Sequence, residues 1–468
     1  MKKIAFFCIP AHGHTNPMLP VAAELVRRGD AVRFYSFDEF EAKIKATGAE
    51  FVSCTRFLPE LTKEEEEAVK NISTTEMTIQ DIKITIRMND FLEEEFKTFQ
   101  PDVVYTDSVC FWGKLNAWKH NVPMVVSTST FAFNQMSSKY MKQSAAELGD
   151  MIFGLPKISK ALKEMEPYGY HIKNAMMLVQ SDNKTDSVVY TSRNFQPYSE
   201  CFSDHYAFVG PSVFSKVLPN KEKERPLVYI SMGTVINERP DFYNKCIDAL
   251  KDMNVDVIIS CGNSMDQKLL GELPSNVKVY PYVDQLDVLS RTDAFITHCG
   301  MNSVSESLYM ATPMLLYPQT GEQQAVARRV AELGAGAFLK DDSAAGIKAV
   351  ITRLLTDKKY AAGAKSCCDD FRSCAGVQGA AEFIENAPHT SGGVDLPEEM
   401  KKVNGSIQLC YWAVAAALLV LFGIFVSWNY AWIIGIAAGV LNYPVTSKIK
   451  MQVYHAKAKK LRAQREKQ

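Results

Sequence analysis

Apolar residues fall in short uninterrupted runs separated by longer stretches of mixed polarity. Residues 4–9 (IAFFCI), 31–36 (AVRFYS), 103–106 (VVYT) and 122–127 (VPMVVS) are four to six residues long and mostly apolar, as expected of strands covered on both faces. Residues 18–28 carry a helical pattern, and Gly29 supplies a stop. A second series of runs lies at 227–232, 255–260, 277–280, 294–297 and 313–317. Short strands alternating with helices imply parallel sheets with right-handed crossovers. Between the two series, residues 211–226 (PSVFSKVLPNKEKERP) have the Pro and charge content of a linker. The pattern predicts an α/β chain of two doubly wound, Rossmann-like domains, residues 1–215 and 226–390, facing a cleft.

Two stretches depart from that rhythm. Residues 57–100 begin acidic, at Glu64–Glu67, and then turn amphipathic. Residues 131–178 are rich in Met, Phe and Tyr, including Met136, Met141, Met151, Met165, Met176 and Met177. They read equally as helices packed on the first sheet and as an adaptable apolar acceptor pocket, because Met fills irregular space.

The carboxyl end changes the picture. Residues 403–447 contain no charged side chain, and 409–426 (LCYWAVAAALLVLFGIFV) are continuously apolar, nearly enough to cross about 30 Å of hydrocarbon. A second run, 431–441, follows a Trp- and Tyr-rich break. Lys401 and Lys402 precede the segment, and eight Lys/Arg against one Glu follow from Lys448. This predicts a membrane anchor at 403–447, either one tilted helix or a hairpin, with a basic tail, 448–468, resting on anionic headgroups. The first apolar run is too short for a signal peptide, so the two domains are expected to face the cytoplasm.

Composition narrows the function. The 468 residues are 47% apolar and 22% charged, which excludes a disordered or collagen-like chain. Formal net charge is -1, and the basic tail leaves the body mildly acidic, so nucleic acid is not an expected partner. Eleven scattered cysteines without repeated C-x-x-C spacing argue for a reducing compartment and against a zinc site or disulfide framework. The first turn lacks G-x-G-x-x-G, which argues against a dinucleotide-dependent oxidoreductase.

Candidate chemistry lies after strands. In PAHGHTNP (10–17) two histidines, His12 and His14, follow the first strand, where parallel sheets bind ligands. Either is a possible general base, with Asp107 after another strand of the same sheet as the carboxylate that holds it. In AFITHCGMNSVSES (294–307) a strand, a Gly turn and a helix N-terminus suit a phosphate. There His298, Asn302 and Ser303 are donors, and Glu306 is an acceptor for ribose hydroxyls. Glu322 and Gln323, in PQTGEQQ (318–324), suit a sugar with several hydroxyls.

The run from 282 to 334, with GHTNP (13–17) and VYTD (104–107), resembles the family-one glycosyltransferases, a group of plant, mammalian and bacterial enzymes. The resemblance implies a GT-B fold and inverting, metal-free transfer from a UDP-sugar co-substrate, with no other cofactor. It favours His14 as base with Asp107 as partner. It places Gly233, Thr234, His298, Asn302 and Ser303 around the diphosphate, Tyr282 by the uracil, Glu306 on ribose, and Glu322 and Gln323 on the sugar, with Gln285 and Gly300 as further donor-binding residues. Tyr282 stands where plant members have a stacking Trp, and Met301 where they have another Trp. With the anchor, the acceptor implied is a hydrophobic alcohol or lipid. The competing reading is a membrane-tethered sugar-nucleotide or lipid-binding protein without turnover.

Overall fold

The computed structural model describes the chain except residues 60–72, 135–136, 138–139, 141–144, 173–183, 214–217, 221–222, 235–236, 391–395, 429–431 and 466–468. It divides into two compact units, Met1–Pro197 with Tyr206–His389, and Tyr198–His205 with Thr390–Gln468.

The first unit holds two sheets whose strand pairs are all parallel. Strands β1 (Lys3–Phe7), β2 (Ala31–Ser36), β3 (Glu50–Ser53), β4 (Val103–Asp107), β5 (Met124–Thr128), β6 (Asp186–Val189) and β7 (Tyr206–Phe208) form one, in the order β3-β2-β1-β4-β5-β6-β7. Strands β8 (Leu227–Ser231), β9 (Asp256–Ser260), β10 (Val277–Tyr280), β11 (Ala294–Thr297), β12 (Met314–Leu316) and β13 (Gly336–Phe338) form the other, ordered β10-β9-β8-β11-β12-β13. Each order reverses once, at β1/β4 and at β8/β11. Such reversals open a crevice at the strands' carboxyl ends, so topology alone marks where ligands sit.

Helix α1 (His12–Arg28) begins six residues earlier than the sequence pattern suggests, so residues 12–17 are its opening turns rather than a loop. Pro17 and Pro20 lie inside it. They read as helix breakers because proline has no N–H to give. Gly29, at φ 95, closes the helix with its N–H on carbonyls of the last turn. Further along come α2 (Glu41–Lys45), α3 (Thr74–Phe99), α4 (Phe111–Lys119), α5 (Ala145–Lys163), α6 (Pro240–Leu250), α7 (Gln285–Ser290), α8 (Met301–Tyr309), α9 (Gly321–Glu332), α10 (Ala344–Thr356), α11 (Lys358–Ser373) and α12 (Gly376–Glu385).

Apolar packing is among the contacts that tie the sheets together. Phe131 and Phe195 share an apolar cluster with Phe371, Met301 and Val304, and the Phe195 and Phe371 rings lie 5.5 Å apart. Helix α12 returns to the first sheet's core, where Ala380, Ala381 and Ile384 are buried with β1 and α1, and Arg28 meets Glu385 at 2.6 Å. Of the methionines named above, Met136, Met141, Met176 and Met177 and the Met151 side chain lie outside the described residues. Met165 packs with Ile82, Phe111 and Leu115.

The second unit contains α13 (Leu396–Phe422) and α14 (Trp432–Arg465). They run antiparallel as a hairpin, with Asn442 donating to Gln408 at 3.1 Å and the Tyr411 hydroxyl to the Ala438 carbonyl at 2.7 Å. Among the described residues one helix, Val403–Phe422, is long and apolar enough to cross a membrane, and none of it is buried.

Candidate functional site

Both reversal points of the sheets present a histidine. At the first, His14 lies in the opening turn of α1, and Asp107 is the last residue of β4. His14 Nδ1 and Asp107 Oδ2 are 2.8 Å apart. The carboxylate is fully buried, while the imidazole keeps 28% of its side-chain surface open. Asp107 Oδ1 accepts the Val109 N–H at 2.9 Å, so both oxygens are fixed. Burial pulls the His14 pKa down, but the Asp107 charge and hydrogen bond, aided by the Glu322 charge, outweigh it and leave it raised. Glu322 comes from the second sheet's side, so its charge on His14 brings the candidate sugar loop and candidate base to one cleft. His12 turns elsewhere: its ring sits edge-on to Phe40 at 4.9 Å, and burial with Lys43 lowers its pKa.

Three neighbours of this pair were not legible in the sequence. Ser129 Oγ lies 3.2 Å from His14 Nδ1. Asp81, on α3, is pushed up to about 7 by burial and the Asp107 charge. Lys114, on α4, is buried and lowered to about 8, with Asp107 opposing the shift. No spacing marks them, because they come from α3, α4 and the segment after β5.

At the second reversal His298 follows β11 directly. An added Cβ on Gly233 would come 2.5 Å from its ring, and one on Gly300 would come 2.6 Å from it. Only glycines allow the ring to sit there, and Gly233 also holds φ +82. Among the described residues no carboxylate pairs with it. Burial lowers its pKa to about 4, Nδ1 makes no hydrogen bond among the described residues, and the ring is neutral at physiological pH.

Gly300 caps α8, which puts Met301, Asn302 and Ser303 in its first turn, where free N–H groups and the helix dipole favour an anion. Glu306 falls in the second turn of α8. Gln285 Nε2 holds its carboxylate at 2.6 Å and reaches Ser303 Oγ at 3.4 Å. The half-buried Glu306 carboxyl is raised to about 7, mainly by burial, with the Gln285 bond opposing. Tyr282 is 77% exposed, a free ring face beside this group. Glu322 and Gln323 open α9 instead of lying on a loop. The Gln323 side-chain oxygen is already taken by the Gln319 N–H at 2.8 Å. Thr234 is exposed at the end of the Gly233 loop.

A cavity of about 380 Å3 is lined from both sides, by Asn16, Pro20 and Lys43 and by Tyr282, Asn302 and Glu306. That is large enough for a nucleoside-sized group. Among the described residues no His, Cys, Asp or Glu cluster is arranged to hold a metal ion.

The family model described as UDP-glucoronosyl and UDP-glucosyl transferase matches residues 216–366. The chain is 32% identical over 395 residues to the NDP-glycosyltransferase YjiC of Bacillus licheniformis, covering 82% of this chain and 97% of that relative. It is 30% identical to the demethyllactenocin mycarosyltransferase of Streptomyces fradiae, covering 82% and 86%. Among solved structures, the calicheamicin glycosyltransferase CalG4 superposes with a TM-score of 0.68 at 26% identity, over 83% of this chain and all of that one.

Proposed function

This chain belongs to the UDP-glucuronosyl and UDP-glucosyl transferase family, a GT-B glycosyltransferase that uses a nucleotide sugar, and from that premise we propose an inverting transfer to a hydrophobic alcohol. In this reading residues 1–215 hold the acceptor and 226–390 hold a UDP-sugar. His14 Nε2 takes the acceptor hydroxyl proton as that oxygen bonds to the anomeric carbon and the carbon–phosphate oxygen bond breaks. Asp107 keeps the proton on Nδ1 in the resting ring and stabilises the imidazolium that forms.

The leaving diphosphate keeps its negative charge against neutral His298, the first turn of α8 at Asn302 and Ser303, and the Gly233–Thr234 and Gly300 backbone. Glu306, oriented by Gln285, accepts from the ribose, and Tyr282 stacks on the base. Glu322 and Gln323 bind the sugar. No metal is needed, because backbone dipoles and His298 meet the charge where it develops.

The observation that carries this reading is the 2.8 Å His14–Asp107 contact at the sheet's reversal point, under the charge of Glu322 from the facing domain. The uncharged hairpin 403–447 and the basic tail support a membrane-held enzyme, cytoplasmic in orientation, whose acceptor is a lipophilic alcohol such as a sterol or diacylglycerol.

The test is full-length protein with α-linked UDP-glucose, offered phenols in solution and sterol or diacylglycerol in vesicles, with products read by mass spectrometry and NMR. A β-linked product is expected, and greater activity on the vesicle acceptor. An α-linked product would remove the inverting reading. Full-length protein that stays with the soluble fraction and prefers phenols would remove the membrane acceptor. UDP binding without release from UDP-glucose would mark a binding protein.

A further inference from the structure

Pro17 sits in the sixth position of α1 and has no N–H, so the Gly13 carbonyl has no donor four residues on within its own helix. That carbonyl is nevertheless met. The Asn302 side-chain amide donates to it at 2.9 Å, from the first turn of α8 on the other side of the cleft. A second tie reaches the same turn from the segment that joins the two sheets, where the Ser212 hydroxyl donates to the Pro17 carbonyl at 2.6 Å. Packing does little here, because a Cβ on Gly13 would meet nothing within 4 Å. His14 is the next residue.

We propose that Asn302 is a positioning residue for His14, its amide occupying the carbonyl that Pro17 leaves open and so fixing the first turn of α1 only when the two domains stand together. This rests on reading His14 as the base. An Asn amide nitrogen carries two hydrogens. One is committed to Gly13, and the second is free for a donor oxygen. A nucleotide sugar seated on α8 therefore steadies the group that sets His14 opposite Asp107, Ser129 and Glu322. Donor occupancy and base placement become one event, and a UDP-sugar bound to an open cleft meets an unplaced base.

Proline at position 17 makes this testable, because Pro17→Ala restores a helical N–H to Gly13 and makes the Asn302 contact redundant. The four full-length proteins of the cycle (parent, Pro17→Ala, Asn302→Ala and the double variant) are compared for kcat, for UDP affinity by calorimetry, and for the His14 titration by NMR of histidine-labelled chain. Asn302→Ala should lower kcat by roughly threefold to tenfold through this contact, the range of a single hydrogen bond. It should also bring the His14 titration toward the ordinary histidine value. In the Pro17→Ala background both effects should shrink, while the change in UDP affinity stays the same. Asn302→Asp, of the same shape but without the donor, should repeat the loss if Asn302→Ala folds poorly.

Equal kcat losses in both backgrounds, or a His14 titration unmoved by Asn302→Ala, would overturn the proposal. Failure of the catalytic reading looks different: turnover would survive His14→Ala, while the NMR titration would still report whether Asn302 places the ring.

Discussion

His14 and His298 each follow a central strand where its sheet's order reverses, His14 after β1 and His298 after β11, the counterpart of β4, and their surroundings drive them apart. His14 keeps an open edge and a buried carboxylate at 2.8 Å, and its pKa is raised. His298 is walled in by two glycines, has no carboxylate, and falls to about 4. The first ring is open to proton transfer and more basic than an ordinary histidine, whereas the second stays uncharged and can only donate from one nitrogen. Burial lowers both, so the difference is made by the charge and hydrogen bond of Asp107, aided by the Glu322 charge.

The largest test of that contrast is removal of the rings. His14→Ala should lower kcat by about 10²–10⁴-fold with UDP affinity nearly unchanged, since a base acts in the transition state. Near-normal turnover would return attention to His12. His298→Ala should cost about 10²–10³-fold, with weaker UDP binding as well, because a donor to the leaving group is lost. Equal UDP affinity in that variant would separate His298 from the diphosphate.

The pH profile sharpens the comparison further. The active form of His14 is the neutral one and its pKa is raised, so kcat/KM should climb with pH through a limb lying above 6.5. In Asp107→Asn burial is opposed only by the weaker Glu322 charge, and the limb should move to more acid pH. His298→Ala should leave the limb where it is, because a ring titrating near 4 contributes nothing there. A limb that follows His298 would reverse the roles.

The smallest effect concerns Glu306. Its carboxyl titrates near 7, and ribose hydroxyls bind the ionised form, so UDP affinity should rise roughly tenfold between pH 6 and 8. Glu306→Gln should flatten that rise. A slope that persists in the variant would assign the proton to another group.

The sequence carried the fold's centre better than its edges. The central strands β1, β4, β8 and β11 are apolar because helices cover both faces, and such runs stand out in a chain. Strand β3 has only two apolar residues, Phe51 and Val52, both half-buried between exposed ends, and β7 and β13 have three residues each, too few for any period to show. The opening of α1 was hidden by Pro17, since the partner that makes it tolerable lies 289 residues away. His14 and Asp107 were legible because reversal points collect ligand groups. Ser129, Asp81 and Lys114 were not, being brought together only by packing. Gln285 was already named among the donor residues by resemblance, but its part in aiming Glu306 depends on a 2.6 Å contact between two helices.

Helix α12 gives the chain an order in time. Its Ala380, Ala381 and Ile384 fill the core beneath β1 and α1, and its Gly376 N–H closes on the Val209 carbonyl at 2.8 Å. The amino-terminal sheet is fully translated at Phe208, yet its core lacks a wall until residue 385 emerges. At ribosomal speeds that wait lasts roughly 10–30 s. Through it the nascent first domain is an unfinished surface and a natural client for chaperones. The apolar hairpin follows α12 within a few dozen residues, so sealing of the first domain and emergence of the chain's greasiest segment are nearly simultaneous in synthesis.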